Sequence, residues 1–331
     1  MADALRPQAI FPTVRGATAL IAACAVLVGC GGAAAPVGDA RPVTLALDFT
    51  PNAVHAGIYG AIASGADHER GIGLRVREPA SGPDGLKLLA AGRVDVAVLD
   101  IHDLGLARER GADVVGVGAL VQRPLAAVLA TPEVDRPREL QGLRVGVTGL
   151  PSDDAVLRSV VADDGGDPDA VRRVTIGFSA VRDLAAGNVD AATAFWNAEG
   201  VALRESGFDA TEFRVDDYGA PAYPELVLAA RRETVAEEPE LVEAVLGAVE
   251  AGTEAALDDP EPVVAEVAER SATDPELVRA QLDAVAPALE PPVRLDRAVL
   301  ERWAAFDERF GILERRPDVD EAFALGLESG P

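Results

Sequence analysis

The stretch Leu88–Ala97, LLAAGRVDVA, returns ninety-five positions later as Asp183–Ala192, DLAAGNVDAA. Each copy reads as a short helix, a glycine stop and a buried strand. The flanks match as well. Strand-like runs Val43–Phe49 and Leu74–Arg77 lead into the first copy, and Leu143–Val147 and Arg172–Phe178 lead into the second. Two β-α-β-α-β units in one chain predict an α/β fold of two similar parallel or mixed sheets flanked by helices. Ligands of such sheets bind beyond the carboxyl ends of the strands, so two facing lobes enclose a cleft.

Punctuation along the chain predicts how the lobes are joined. The prolines Pro124, Pro132 and Pro137 mark one crossing, and Tyr218-Gly219-Ala220-Pro221-Ala222-Tyr223-Pro224 marks another. The expected division is residues 41–130 for lobe one, 131–223 for lobe two, and 224–331 for a return to lobe one. From Glu233 onward only helices are expected, broken near Asp259-Pro260, Asp274-Pro275 and Pro291-Pro292. With so little strand they form no lobe alone and should pack on lobe one. Two crossings and a returning tail describe a hinged molecule whose closure traps a ligand.

The first 29 residues read as an address. Arg6 and Arg15 precede the apolar run Ala17–Val28, too short to span a bilayer and suited to a secretory signal. Leu27-Val28-Gly29-Cys30 resembles a bacterial lipobox, which implies cleavage before Cys30, lipidation of its thiol and a flexible tether over residues 30–40. The expected location is the outer face of the cell membrane, held by lipid alone. Cys24 and Cys30 are the only cysteines, so the exported part has no disulfide. Net charge is −25; residues 1–29 carry Asp3, Arg6 and Arg15, a net +1, which leaves −26 for the remainder. So acidic a body is a poor partner for nucleic acid.

Candidate ligand contacts cluster at strand ends. Asp48-Phe49-Thr50-Pro51-Asn52 follows a strand and opens a helix carrying His55 and Tyr59. Phe49 offers a flat face, Asp48 and Asn52 accept hydrogen bonds, and His55 serves as a donor or an acceptor. Asp100 and His102 close the next strand. In lobe two the candidates are Phe178, then Trp196, Asn197 and Glu199 after the repeated strand, with Tyr218 and Tyr223 at the crossing. Trp196 and Asp48 are expected to face each other across the cleft. Pro151-Ser152-Asp153-Asp154 reads as a helix start capped by the serine. No nucleotide loop, zinc spacing or Ser-His-Asp series is visible, and neither metal nor cofactor is expected.

The motif Leu47-Asp48-Phe49-Thr50-Pro51-Asn52, with His55, Gly57 and Tyr59, resembles the opening of the thiamine-pyrimidine precursor-binding proteins of bacterial ABC importers. Gly73–Pro79, Leu89–Asp95, Gln122–Leu125, Leu140–Gly149, Val174–Phe178 and Tyr218–Leu228 extend the resemblance over about residues 43–312. The resemblance implies a type 2 periplasmic-binding-protein-like fold, a monomer, an aminopyrimidine-like ligand, and permease and ATPase partners. The same superfamily holds alkanesulfonate-binding proteins and a thiamine pyrimidine synthase. That synthase consumes a histidine matching His102, and needs a nearby lysine for pyridoxal phosphate and a cysteine-rich iron segment. Here no lysine lies between Arg93 and His102, and Tyr218–Leu228 has no cysteine. The expectation is a binding protein and not an enzyme; an alkanesulfonate or flavin ligand, a thiamine pyrimidine synthase-like enzyme, or a sensing lipoprotein are the alternatives.

Overall fold

Among residues 40–80 and 83–327, which the computed structural model describes, ten strands form two sheets. In chain order they are β1 (Arg41–Ala46), β2 (Ile72–Arg77), β3 (Val96–Asp100), β4 (Val114–Ala119) and β5 (Ala126–Ala130). Then come β6 (Arg144–Val147), β7 (Arg172–Thr175), β8 (Ala191–Phe195), β9 (Thr211–Arg214) and β10 (Leu226–Arg231). The first sheet runs β2-β1-β3-β10-β4 and the second β7-β6-β8-β5-β9. The wiring is the same in both. β1 pairs in parallel with β2 and β3, as β6 does with β7 and β8. The fourth strand of each sheet, β10 or β5, is antiparallel to both of its neighbours.

The sequence repeat marks this shared scaffold. Gly92 and Gly187 end the helices before β3 and β8 with φ of 64° and 68°, the left-handed region that glycine enters without a Cβ clash. The aspartate three residues later extends the sheet. Asp95 Oδ2 accepts the Thr44 N–H at 2.7 Å, and Asp190 Oδ2 accepts the Arg144 N–H at 2.8 Å.

Central strands bury both faces, so they are continuous apolar runs. In β3, Val96 and Val98 enter one core layer while Ala97 and Leu99 enter the other; β10 divides Leu226 and Leu228 from Val227 and Ala229 in the same way. The long helix Pro239–Asp258 lies on the helix Ala56–Ser64, where glycines let the backbones touch. A Cβ on Gly252 would stand 2.1 Å from the Gly57 carbonyl oxygen. Isolated bridges Gly116↔Phe323 and Ala119↔Val293 fasten the tail to β4. No helix among the described residues is long and apolar enough to cross a membrane.

Two expectations need correction. β5 was expected to close lobe one at residue 130, yet it belongs to the second sheet, so the chain crosses between residues 119 and 126. Five consecutive buried apolar residues fit either sheet, and the signal that places them is pairing with β8 and β9. Ser152 is not a cap. The helix Pro151–Asp163 begins one residue earlier, and Ser152 Oγ donates to Asp103 Oδ2 at 3.1 Å. Cys30, the signal-like run and the tether lie outside the described residues.

Candidate ligand-binding site

The loop after β1 is built by its own side chains. Asn52 Oδ1 accepts the Val54 N–H at 3.0 Å, starting the short turn Ala53–His55. His55 Nδ1 accepts the Asn52 N–H at 3.2 Å, so the ring proton sits on Nε2 and is donated to Asp48 Oδ1 at 2.9 Å. His55 is wholly buried; its work is to aim Asp48.

Asp48 lines a cavity of about 180 Å³ at the carboxyl ends of both sheets. Phe49 and Asn52 line it beside Asp48, and Asp100 and Asp103 line it after β3. Phe178 faces Phe49 edge-on, with ring centroids 4.2 Å apart, so the two sheets touch through aromatic rings at the rim of this space. Thr148, Asp153, Thr193, Phe195 and Glu199 complete the second sheet's side, and Glu225 lines the cavity from the crossing into β10.

Six carboxylates thus surround one small space, and Arg110 is the only basic residue in its described lining. Asp100 Oδ1 accepts the N–H groups of His102 and Asp103, capping the helix Ile101–Glu109. Burial pushes the Asp100 carboxyl well above its usual range, and the nearby His102 opposes the shift. Burial also lifts Asp103 to about 6, against the Ser152 hydroxyl and His102. Asp153 and Glu199 are raised by burial too. Hydrogen bonds oppose this: Asp153 accepts from the Thr148 hydroxyl at 2.5 Å and the Thr193 hydroxyl at 3.0 Å, and Glu199 Oε2 accepts the Phe195 N–H at 3.0 Å. The cavity is therefore lined by buried carboxyl groups and apolar side chains, and a ligand that brings N–H donors would favour the ionised form that burial opposes.

Of the residues expected at the site, Asp48, Phe49, Asn52, Asp100, Phe178 and Glu199 line the cavity. The others stand elsewhere. His102 is fully buried, its Nδ1 2.8 Å from Asp307 Oδ1 and its Nε2 3.1 Å from the Tyr223 hydroxyl. Burial lowers its proton affinity, but Asp307 outweighs this and, with Asp100 and Glu225, carries the pKa up to about 10. His102 and Tyr223 are thus one internal polar cluster, made by a helix far away in sequence. Trp196 does not face Asp48. Its Nε1 donates to the Pro124 carbonyl at 3.2 Å and the Arg214 guanidinium covers its ring at 4.3 Å. Phe195 takes the cavity side, and side chains alternate at a strand end. Tyr59 is buried beneath Arg270, Tyr218 packs on Phe213, and Asn197 is buried with neither amide atom hydrogen-bonded among the described residues. Asp103, Thr148, Asp153, Thr193 and Glu225 were missed. Asp153 had the clearest signal, an acid in the first turn of a helix that follows a strand.

Two five-stranded mixed sheets with this order, closing on a cavity at their strand ends, give the generic periplasmic-binding-protein fold. The chain belongs to the NMT1/THI5-like family, whose profile matches residues 52–263. It is 34% identical over 221 residues to a formylaminopyrimidine-binding protein of Halalkalibacterium halodurans, covering 66% of this chain and 67% of that one. It is 25% identical over 232 residues to a 4-amino-5-hydroxymethyl-2-methylpyrimidine phosphate synthase of Saccharomyces cerevisiae, covering 66% and 68%. In fold it is similar to the alkanesulfonate-binding protein of Xanthomonas axonopodis pv. citri bound to MOPS. The TM-score there is 0.70 at 19% identity, over 87% of this chain and 99% of that one.

Proposed function

We propose that this chain is the exported solute-binding protein of an ABC importer, anchored through Cys30, and that it captures an amino-bearing heteroaromatic ring. The observation that carries the reading is the cavity: six carboxylates and the rings of Phe49 and Phe178 around about 180 Å³. That volume suits one substituted ring, since pockets for larger ligands run to roughly 300–1,000 Å³. A pyrimidine therefore ranks above a flavin. A sulfonate ranks below both, because buried acceptors repel an anion. The formylaminopyrimidine-binding relative supports the same ligand class.

Binding is favoured over synthase chemistry by this chain's own residues. Its single lysine is Lys87, its cysteines are Cys24 and Cys30, and His102 is enclosed by Asp307 and Tyr223. Thermal denaturation with a formylaminopyrimidine, 4-amino-5-hydroxymethyl-2-methylpyrimidine, flavin mononucleotide and taurine tests the ligand class. At a thousand times the dissociation constant, the right ligand adds about 4 kcal/mol to stability. A response to taurine alone overturns the reading. Incubation with pyridoxal phosphate and iron should leave the His102 peptide at its native mass.

A further inference from the structure

The two crossings between the sheets meet at one side chain. Glu225 stands immediately before β10 of the first sheet, and its carbonyl accepts the Ile101 N–H at 3.1 Å. Its carboxylate reaches the other crossing. Oε2 accepts the N–H of Leu125 at 2.6 Å and of Ala126 at 3.2 Å, where β5 of the second sheet begins. Oε1 is buried and has no hydrogen-bond partner among the described residues, although Glu225 lines the cavity. A buried carboxylate oxygen without a donor is unfavourable, and such groups persist where a function supplies the missing partner.

We propose that Glu225 recognises an N–H donor on the edge of the bound ring through Oε1 while Oε2 keeps its hold on β5. One carboxylate then reads the ligand and ties both crossings together, so occupancy is felt where the sheets are joined. The inference rests on the amino-bearing-ring reading of the cavity and adds to it the residue that detects the ring amine. The other carboxylates of the lining are engaged elsewhere: Asp153 and Glu199 bond within the second sheet, Asp48 pairs with His55 beside the first, Asp100 caps the helix Ile101–Glu109, and Asp103 accepts from Ser152.

Isothermal titration with two probes tests it: 4-amino-5-hydroxymethyl-2-methylpyrimidine, and the same ring with hydrogen in place of the 4-amino group. The unaltered protein should prefer the amino probe by at least about tenfold, because a site built to bond an N–H rejects the analogue that lacks it. In Glu225→Gln the amino probe should weaken by about ten- to a hundredfold while the other stays within about threefold, so the preference collapses. Glu225→Asp keeps the charge but withdraws the oxygens by one methylene, and should lose the same preference; it serves if the glutamine variant does not fold. An unchanged preference in either folded variant overturns the inference, as does equal weakening of both probes, the mark of a purely structural role. Equal binding of both probes by the unaltered protein overturns it too, while the ring-binding reading stands. No binding of either probe overturns both.

Discussion

In the first copy of the repeat β3 ends at Asp100, and in the second the equivalent strand β8 ends at Phe195. The approach to these ends is matched: a left-handed glycine, then an aspartate that accepts a neighbouring strand's N–H. Beyond the ends nothing matches. Asp100 caps its own helix, and two residues on His102 reaches into a buried cluster with Asp307. Phe195 is apolar and two residues on Asn197 is buried without a partner among the described residues. Backbone geometry dictates the shared part, so the same residues recur. The tips answer to the ligand and to whatever helix happens to cover them, so each copy is free to differ.

The largest expected effect comes from the buried cluster that only the first copy has. Asp307→Ala removes the carboxylate that holds the His102 proton, so burial drives the ring neutral and the buried pair is lost, which should cost about 3–5 kcal/mol of stability, read as a lowered denaturant midpoint. His102 is raised from 6.5 to about 10 in the folded protein, so its own contribution is complete below pH 6.5 and is lost as pH rises through 10, while burial raises the Asp307 carboxyl too. The variant's stability should therefore depend less on pH over that interval. An undiminished pH dependence would assign it to other groups. In the second copy, Trp196→Ala removes a ring packed beside the crossing and its bond to Pro124, for a loss of about 2–3 kcal/mol. Affinity of the folded fraction should stay within about twofold. A large loss of affinity with unchanged stability would return Trp196 to the site.

What the sequence made legible follows the same division. Helix, glycine, strand and aspartate are local, and their spacing names them. Asp48 and Asn52 were also readable, because a strand followed by Pro51-Asn52 announces a loop at a ligand-facing end. His102 was misread because its partner Asp307 is 205 positions away, and no local pattern says that a helix will cover it. Trp196 failed on a single step of register: the residue before it takes the cavity side. Asp153 and Thr193 are forty positions apart and meet only through the pairing of β6 with β8. β5 failed for the same reason, its address being a pairing and not a composition.

The shared glycines should respond alike. Gly92→Ala and Gly187→Ala each force a side chain into the left-handed region, at about 1–2 kcal/mol. The added methyl at Gly92 would also sit 3.3 Å from the Arg231 guanidinium, whereas Gly187 has open space, so any difference should put Gly92 slightly higher. Chemical denaturation of both variants measures it, and a negligible loss at one site would mean that the two helix ends are not equivalent. Asn197→Leu should go the other way. It removes an amide that no described residue satisfies, and stability should hold or rise by up to about 1 kcal/mol, whereas the equivalent His102→Leu should be destabilising.

The finest distinction lies between the repeated aspartates themselves. Asp95 and Asp190 hold a backbone N–H in the same way, so alanine at either should cost about 1.5–3 kcal/mol, as for a hydrogen bond to a charged acceptor. Asp190 alone also meets a guanidinium, Arg144 Nη2 lying 2.8 Å from Oδ1, but both side chains are substantially exposed. Such a pair adds about 0–1 kcal/mol and is screened by salt. The Arg144 hydrogen bond holds the Asp190 carboxyl below its usual 3.8, so its contribution is present above that pH and is lost as pH falls through the lowered value. The difference between the two alanine variants should then be about 0.5 kcal/mol at pH 7 and vanish in roughly 1 M salt. A difference that survives the salt would mean that the two aspartates support their strands unequally through the backbone, and the scaffold would be less symmetric than its hydrogen bonds make it.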